Sequence, residues 1–370
     1  MRRALGGMAA LAFILVLSAG CTSACSAPAA QRVVIMSYNV ENLFDATDAG
    51  SEYAEYSVAA GRWDAARYKT RLGRLAEVVR AAAPTTKGPD VVCLMEVETR
   101  GVLEELRTGP LAGSGYKAAA LVPAPHQAVN CGVLSRLPLR GLRALGLAAG
   151  VREGRHILEV GLDAGGRELT VFVCHWKSKL EGAEATEAER REASALVAGR
   201  VAELLGQNPA AELFVCGDFN ENPDEYALVE GAYRTALMPA SASPDGSAGS
   251  IAPLPQAERD AAERKTIFVA DAVKDAGPGS SAGPILYSPW AEWGGYSYFF
   301  KGRGERIDGY LLAPGLLDGE GLTFAAFRSL PEAFLLDAQG LPVSYNAATG
   351  AGYSDHLPIV LELELRLEAR

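Results

Sequence analysis

Six short segments place an acid, an amide or an imidazole next to an apolar, strand-like run. Such a strand either delivers its polar group to a cleft or leaves it on an exposed loop, and six occurrences favour one shared cleft. Carboxylates and amides are oxygen ligands for hard cations, and imidazoles transfer protons. The segments are 37–42 (SYNVEN), 91–96 (VVCLME), 171–176 (VFVCHW), 214–220 (FVCGDFN), 306–310 (RIDGY) and 354–358 (SDHLP).

In this order and spacing, the segments resemble the signature of the endonuclease/exonuclease/phosphatase family across residues 33–365. The joint occurrence of G-D-F-N, R-I-D and S-D-H-x-P carries the resemblance. It implies an α+β fold, a four-layer αββα sandwich of two packed mixed β-sheets flanked by helices, with the active site at one edge. It also implies a phosphoesterase in which a divalent cation assists the attack of water on a phosphorus ester.

The resemblance implies a metal site built from four residues. Glu96 would be the chief ligand, and Asn39 would complete the metal and phosphate neighbourhood. Glu41 fills a position where relatives often have another acid or amide, and Asp355 would lie near the metal. Glu96 as a plain strand-end acid and Asp355 as an exposed turn residue remain the alternatives. Mg²⁺ is the expected ion, with Mn²⁺ or Ca²⁺ as alternatives.

The catalytic roles also follow from the resemblance. Asp218 would position or deprotonate the attacking water, and Asn220 would hold a phosphate oxygen, although a strand-end D-x-N can be an Asx-type turn alone. His356 would contact the scissile phosphate as a general base or as a charged donor. Asp308 would orient this histidine and fix its tautomer.

Three further residues are predicted at the site. His175 favours the deoxyribonuclease-like, sphingomyelinase-like and inositol-phosphatase-like members, because abasic-site endonucleases usually have tyrosine there. Arg155 is a candidate bidentate phosphate contact, and a plain surface arginine is an equal alternative. Tyr298 is a candidate substrate contact, with sheet packing as the alternative.

Apolar periodicity predicts the elements that must bring these segments together. Residues 65–83 and 187–205 have helical spacing, and the last strand alternates Ile359, Leu361 and Leu363 with acids, which predicts one dry face. Residues 238–289 are rich in Ala, Ser, Gly and Pro, which predicts a long surface excursion. Other strands are predicted at residues 33–36, 91–95, 116–122, 131–134, 156–162, 169–174, 213–216 and 306–312.

The N-terminus has the pattern of an export signal. Two arginines precede an apolar run at residues 8–17, which ends in L-S-A-G before Cys21. The run is short for a membrane span, and the pattern resembles a bacterial lipobox, with an ordinary signal peptide as the alternative. We therefore predict a lipoprotein signal peptide (1–20), lipidation of Cys21, a flexible tether (21–31) and one catalytic domain (32–370). The enzyme is then extracytoplasmic and bound to a membrane through its lipid.

Composition is that of an ordinary globular chain, with 49% hydrophobic and 22% charged residues. A net charge of −10 argues against a broad basic surface for nucleic acid but allows a locally basic cleft. The chain lacks the Cys/His spacing of a zinc site and a P-loop sequence. The cysteines predict no full disulfide framework, although a Cys174–Cys216 bridge is a possibility in an oxidising compartment.

The leading prediction is a monomeric, extracytoplasmic nuclease whose phosphodiester substrate is nucleic acid. A phospholipid phosphodiesterase is the alternative, and it would need an exposed apolar loop near the cleft. Residues 285–293 are the candidate for this loop, with packing as the alternative role of their aromatic side chains. An inositol-phosphate phosphatase is a further alternative. A catalytically inactive binding lipoprotein is a hypothesis of another class, and the presence of every motif residue argues against it.

Overall fold

The structure is a computed structural model that describes residues 31–146, 155–243 and 265–366. The predicted signal peptide, Cys21 and nearly all of the predicted tether lie outside these residues. Gln31, the last residue assigned to the tether, already belongs to the first strand. The strands are β1 (Gln31–Leu43), β2 (Val91–Val97), β3 (Ala118–Leu121), β4 (Asn130–Ser135), β5 (Leu139–Leu145), β6 (Ile157–Ala164), β7 (Arg167–His175), β8 (Glu212–Asp218), β9 (Leu237–Pro239), β10 (Ile267–Ala270), β11 (Gly277–Ser280), β12 (Gly283–Tyr287), β13 (Tyr298–Phe300), β14 (Arg303–Glu305), β15 (Asp308–Leu312), β16 (Gly321–Ser329) and β17 (Ile359–Arg366).

These strands form two mixed sheets and a separate hairpin. The first sheet has the order β16-β17-β1-β2-β4-β3. The second has the order β5-β6-β7-β8-β15-β12-β10-β9, with β11 paired to β12, and β13 and β14 form the hairpin. The α-helices are α1 (Ala65–Ala82), α2 (Arg100–Thr108), α3 (Glu187–Gln207) and the single turn α4 (Glu225–Leu228).

The two sheets pack face to face through one apolar core. Ile35 and Leu361 from the first sheet meet Val171 and Phe214 from the second, and all four are fully buried. The predicted dry face of the last strand is confirmed, because Ile359, Leu361, Leu363 and Leu365 all belong to this core. Period-2 alternation therefore directs one face of β17 into the space between the sheets.

Helices cover the outer faces of both sheets. The apolar faces of α1 and α2 share a cluster with the outer face of the first sheet, including Leu72, Leu103 and Leu94. Val197 and Val201 of α3 pack with Phe172 and Val215 on the outer face of the second sheet. The predicted four-layer αββα sandwich is confirmed. Among the described residues, no helix is both long and apolar enough to cross a membrane.

Several elements differ from the sequence-based expectations. The long helices end at Ala82 and Gln207, one residue before and two residues after their predicted ends. Helix α2 was not predicted, although Thr99 caps it by accepting the Val102 N–H. Strand β5 was also missed, because it is an exposed edge strand without an apolar run.

The predicted surface excursion at residues 238–289 is wrong for its described part. Strands β9, β10, β11 and β12 fall in or overlap this range and extend the second sheet. Ile267 and Leu286 are fully buried against α3. These strands are only three to five residues long, so their periodicity is too short to stand out from the surrounding Ala, Ser, Gly and Pro.

The four described cysteines are free and buried. Cys174 belongs to the apolar cluster beneath α3, whereas Cys216 belongs to the core between the sheets. The two side chains therefore point to opposite faces of the second sheet. The Cys174–Cys216 bridge left open by the sequence does not form.

Candidate active site

Strand register brings three of the predicted groups to one edge of the second sheet. In the parallel pair β7 and β8, His175 lies opposite Asp218, and in the antiparallel pair β8 and β15, Asp218 lies opposite Asp308. The first sheet contributes two more groups, because Asn39 of β1 pairs with Met95, the residue before Glu96. The ends of five strands in two sheets thus converge, as the shared-cleft hypothesis requires.

The backbone bends at the residues that carry the polar groups. Register shifts interrupt β1–β2 between Asn39 and Leu43 and β2–β4 between Leu94 and Val97. Positive φ angles occur at Glu41 (+49°), Asn42 (+61°), Glu96 (+66°) and Asn220 (+49°). Non-glycine residues in this region cost roughly 1–3 kcal/mol each and cluster at functional sites. Register shifts of this kind change the direction in which the side chains near a strand end point.

Asn39 connects the two sheets at the centre of the site. Its Nδ2 donates to Glu96 Oε1 at 3.1 Å and to Asp218 Oδ2 at 3.0 Å. Its Oδ1 accepts the backbone N–H of Glu41 at 3.0 Å. Both hydrogens of Nδ2 are thus donated to carboxylates within the site. Oδ1 keeps a second lone pair beside the bond from Glu41, so the predicted metal ligation by Asn39 stays a prediction.

Glu96 is held at the rim of the cleft by both carboxylate oxygens. Oε2 accepts the N–H of Asn42 at 2.9 Å, and Oε1 accepts from Asn39. The carboxylate also lies 3.5 Å from Nε2 of His175. The side chain is partly exposed, so an incoming cation can reach it.

His356 and Asp308 form a buried pair. Nδ1 of His356 lies 2.7 Å from Asp308 Oδ2, while Nε2 lies 3.9 Å from Asp218 and 3.8 Å from Asp355. Burial alone would lower the pKa of His356, but the carboxylates of Asp308, Asp355 and Asp218 together raise it well above its ordinary value. The side chain is therefore an imidazolium that Asp308 holds through Nδ1.

His175 has the opposite protonation state. Burial, followed by the charges of Arg155 and His356, lowers the pKa of His175 well below its ordinary value. The ring is a neutral imidazole whose Nε2 lies 3.7 Å from Asp218 Oδ2. Its buried Nδ1 has no hydrogen-bond partner within the part of the chain that the structure describes.

Asp218 occupies the middle of the cluster, and its two oxygens have different partners. Oδ1 accepts the N–H of Asn220 at 2.8 Å, which is the Asx-type contact considered as an alternative. Oδ2 faces Asn39 and both histidines. Burial raises the pKa of Asp218 to about 7, with the His356 charge opposing and Asp308 adding to the shift. The turn geometry therefore does not prevent the second oxygen from taking part in chemistry.

Asn220 and Arg155 converge on one backbone carbonyl. Asn220 Nδ2 donates to Trp176 O at 3.2 Å, and Arg155 Nη1 donates to the same oxygen at 2.9 Å. Arg155 is close enough to lower the pKa of His175. The structure thus places Arg155 beside the site, held by the residue that follows the histidine.

Glu41 and Asp355 lie on the other side of His356. Glu41 Oε2 accepts the backbone N–H groups of Tyr345 at 2.6 Å and Asp355 at 3.0 Å. Burial, followed by the charge of Asp355, raises the pKa of Glu41 to about 7. Glu41 therefore ties β1 to the segment that carries His356, and a cation would compete with those two N–H groups for Oε2.

Tyr298 packs on His356. Its ring centroid lies 4.7 Å from that of His356, with an angle of 34° between the planes. Burial, followed by the charge of Asp355, raises the pKa of Tyr298 to about 12. The tyrosine is therefore neutral and half-buried at the wall of the cleft.

Sequence reasoning missed several residues that hold the site. Ser297 Oγ accepts the N–H of Asp308 at 3.1 Å. Ser354 Oγ donates to Asn39 O at 2.8 Å and accepts the N–H of His356 at 3.1 Å. Arg71 of α1 donates to the carbonyls of Val40 and Tyr353. Ser354 lay within a recognised motif, but nothing in the local sequence marks Arg71 or Ser297.

The charge balance of the cleft fits a hard cation. A linked set of five carboxylates surrounds three described cations, Arg71, Arg155 and His356. The carboxylates are Glu41, Glu96, Asp218, Asp308 and Asp355. Oδ1 of Asp308 is buried and has no hydrogen-bond partner in the described ranges. An excess of carboxylates with unsatisfied oxygen suits Mg²⁺, Mn²⁺ or Ca²⁺, which take oxygen ligands.

Mutual distance alone selects a different ligand set from the predicted one. The ligand atoms of Asp218, Asp308 and His356 all lie within 4.8 Å of one another. The Asp308–His356 contact is a 2.7 Å ion pair, and a protonated imidazole cannot bind a metal. We therefore favour Glu96, with Asp218 nearby, as the carboxylates that hold the cation.

A sandwich with a carboxylate–histidine cluster at the ends of its strands defines a metal-dependent phosphoesterase class. Residues 34–240 match the profile described as the Endonuclease/Exonuclease/phosphatase family, which is more than half of the chain. The chain belongs to this family. It is therefore an enzyme that hydrolyses phosphoric ester bonds, and its buried acid and histidine cluster fits the divalent-metal dependence typical of the family.

Solved structures with the same fold cover nearly the whole chain. ANGEL2, a 2′,3′-cyclic phosphatase, has a TM-score of 0.53 and 16% identity over 91% of this chain and 96% of its own. Truncated Caenorhabditis elegans TDP2 has a TM-score of 0.51 and 15% identity over 90% and 98%. D. rerio TDP2, solved with a single-strand DNA product, has a TM-score of 0.50 and 14% identity over 90% and 98%. At such identities these likenesses show the fold alone, and no curated protein matches the sequence.

Proposed function

We propose that this enzyme is a Mg²⁺-dependent, deoxyribonuclease-like phosphodiesterase whose substrate is nucleic acid. The observation that carries the proposal is the contact chain from Glu96 through Asn39 and Asp218 to His356 and Asp308. These groups come from segments up to 317 residues apart (356 − 39), so their meeting depends on the tertiary fold and not on local sequence.

The side chains divide the work of phosphodiester hydrolysis. Asp218, with its pKa raised to about 7, can accept a proton from the attacking water near neutral pH. His356 stays protonated and donates Nε2–H to a phosphate oxygen, while Asp308 holds its ring. Asn220 donates one amide N–H to Trp176 O and offers the other to a remaining phosphate oxygen. When bound, the cation neutralises the charge that develops on the phosphate.

Two observations favour nucleic acid over the lipid alternative. D. rerio TDP2, which shares this fold, was solved with a single-strand DNA product. The loop predicted to contact a lipid surface does not have the required exposure, because Leu286, Tyr287 and Trp290 are buried and only Trp293 is exposed. The packing role, which was the alternative for this loop, applies to these three side chains, because they belong to the apolar clusters of the second sheet.

The remaining alternatives lack a supporting contact. Nothing among the described residues separately favours an inositol phosphate. The inactive binding lipoprotein is disfavoured, because the acids, amides and imidazoles all meet in one cleft and the family consists of phosphoric ester hydrolases.

We also propose that the enzyme is monomeric, acts outside the cytoplasm and is attached to a membrane by lipid at Cys21. The support is the apolar run and the small residues before this cysteine. Replacing Cys21 by Ala should move the protein from the membrane fraction to the soluble fraction of bacteria that express it. Unchanged membrane association of the variant would contradict the lipid anchor.

The enzymatic proposal is tested with a substrate panel. The full chain is incubated with single-stranded DNA, duplex DNA, RNA, sphingomyelin and inositol phosphate, with Mg²⁺ and with EDTA. We expect Mg²⁺-dependent cleavage of a nucleic acid, and a loss of about 10²-fold or more in kcat for Asp218→Ala. Asp224→Ala is the matched control, because Asp224 lies beyond the catalytic turn. Turnover of sphingomyelin alone would refute the nuclease proposal.

A further inference from the structure

The hairpin of β13 and β14 is attached directly to the catalytic histidine. Tyr298, the first residue of the hairpin, forms an antiparallel backbone bridge with His356. The N–H of Leu357 donates to Ser297 O at 2.6 Å. The Tyr298 ring lies over His356, so backbone and side chain together fix the hairpin beside the cleft.

Phe300 continues the row of rings away from the cleft. It lies two residues after Tyr298 on the same strand and therefore on the same face. The two centroids are 6.2 Å apart, and the planes differ by only 21°. His356 is 6% exposed and Phe300 is 39% exposed, so the row leads from the buried imidazole to a ring in contact with solvent.

Two cations flank this exposed ring. Lys301 and Gly302 form the turn with φ of +48° and +83°, the signs that a two-residue type I′ turn requires. Lysine is an uncommon residue in that conformation, and its Nζ lies 5.0 Å from the Phe300 centroid. Arg303 pairs directly with Phe300 across the hairpin and so shares its face.

We propose that this face of the hairpin binds an unpaired nucleobase next to the scissile phosphate, which makes single-stranded nucleic acid the preferred substrate. The inference rests on the proposed nuclease function. A free base stacks on Phe300 and displaces the Lys301 ammonium towards a phosphate, where Arg303 adds a second positive charge. A base pair within a duplex has both faces covered by its neighbours and cannot stack in this way.

The arrangement fits a base better than a membrane. A bilayer contact would need several apolar side chains at the tip, whereas Phe300 is followed by Lys301, Gly302 and Arg303. The row of rings also ends at His356, which is where a phosphate attached to the stacked nucleotide would react. Arg303 lies 3.4 Å from Glu305 Oε1, so a bound phosphate would compete with this carboxylate for the guanidinium.

The test measures how strongly the enzyme prefers a strand that carries bases. With the full chain and Mg²⁺, kcat/KM is determined for oligothymidylate and for an abasic oligomer of equal length. Phe300→Ala should lower the ratio of the two values about tenfold. Phe300→Trp should preserve the ratio. Phe299→Ala is the matched control, because its ring lies near Tyr296, with centroids 5.8 Å apart, on the other face of the hairpin.

Binding to the Asp218→Ala enzyme separates failure of this inference from failure of the proposed function. If oligonucleotides are bound with the expected base preference but are not cleaved by the wild type, the nuclease proposal fails and the stacking face stands. If wild type and Phe300→Ala have the same ratio of kcat/KM for oligothymidylate to kcat/KM for the abasic oligomer, the inference is overturned. Preference for duplex over single-stranded DNA also overturns it. If only vesicles containing anionic phospholipid bind, and Phe300→Ala abolishes that binding, both proposals are overturned and the hairpin is a membrane contact.

Discussion

The two histidines of this cleft have different protonation states because their surroundings differ. His356 contacts three carboxylates and keeps its proton, whereas His175 is buried near Arg155 and loses it. Asp218 lies between them, with its pKa raised to about 7 by burial. Such divergence supplies a proton acceptor and a proton-bearing donor within one site at neutral pH. The charge states are therefore a consequence of residue placement and not of residue type.

The His356–Asp308 pair gives a pH-dependent prediction. Replacing Asp308 by Asn removes the carboxylate that raises the pKa of His356, and burial then lowers that pKa. His356 loses its proton at lower pH, so activity that needs the imidazolium should fall as pH rises through neutrality. The pH profile of kcat/KM should show this fall in Asp308→Asn and only at higher pH in the wild type. We expect kcat to drop by about 10²-fold or more.

A matched substitution isolates the orienting role. Asp355→Asn also removes a carboxylate near His356, but at 3.8 Å from Nε2 instead of at hydrogen-bond distance from Nδ1. In Asp355→Asn, the fall of kcat/KM at high pH should shift less from its wild-type position than it does in Asp308→Asn. Identical profiles in wild type and Asp308→Asn would contradict the assignment of His356 as the charged donor.

At the scale of elements, a buried ion network connects the loops that follow β7 and β8. Arg190 of α3 contacts Glu187 at 2.7 Å and Glu221 at 3.3 Å, and all three are nearly inaccessible. Arg190 also donates to Lys177 O at 3.2 Å. Glu221 directly follows Asn220, and Lys177 lies two residues after His175. One helix therefore braces both catalytic loops from behind.

Removing the cation of this network should destabilise the fold. Arg190→Met leaves Glu187 and Glu221 buried without a partner charge, which costs roughly 3–5 kcal/mol in the free energy of unfolding. Burial already raises the pKa of both acids above their unfolded values. Deprotonation therefore opposes folding, so the variant should lose stability as pH rises from the unfolded to the folded pKa. Urea unfolding at several pH values measures this loss.

The control variant neutralises the two buried acids as well as the arginine, so no unpaired charge remains in the network. Adding Glu187→Gln and Glu221→Gln to Arg190→Met should recover part of the stability and flatten its pH dependence. A single Arg190→Met variant that is as stable as the wild type at pH 8 would show that the network carries no net energy.

At the scale of the whole molecule, the proposed metal site lies where the two sheets meet. Glu96 comes from the first sheet and Asp218 from the second, and Asn39 bridges them. A cation can bind at this site only in the folded state, because the unfolded chain does not bring the ligands together. Cation binding should therefore stabilise the entire sandwich.

Thermal unfolding with and without Mg²⁺ tests this linkage. At a Mg²⁺ concentration ten times Kd, we expect about 1.4 kcal/mol of added stability, which EDTA should reverse. Glu96→Gln should abolish the effect, whereas Glu55→Gln, at an exposed acid outside the cluster, should retain it. A full Mg²⁺ shift in Glu96→Gln would remove Glu96 from the metal site.

The sequence by itself determined the sandwich, the dry face of β17 and the strand ends that carry the catalytic groups. These features follow from local periodicity and from motifs such as G-D-F-N, whose residues are neighbours in the chain. Local patterns also sufficed for the two long helices, to within two residues of their ends.

Only the tertiary structure decided the orientation of Asn39, the charge states of His175 and His356, the Arg190 network and the row of rings on the hairpin. Each depends on contacts between segments distant in the chain, such as Asn39 with Asp218 or Tyr298 with His356. Burial and neighbouring charge set a pKa, and both arise only when the sheets pack. For the same reason, three- to five-residue strands such as β9 to β12 became recognisable only through their pairing partners.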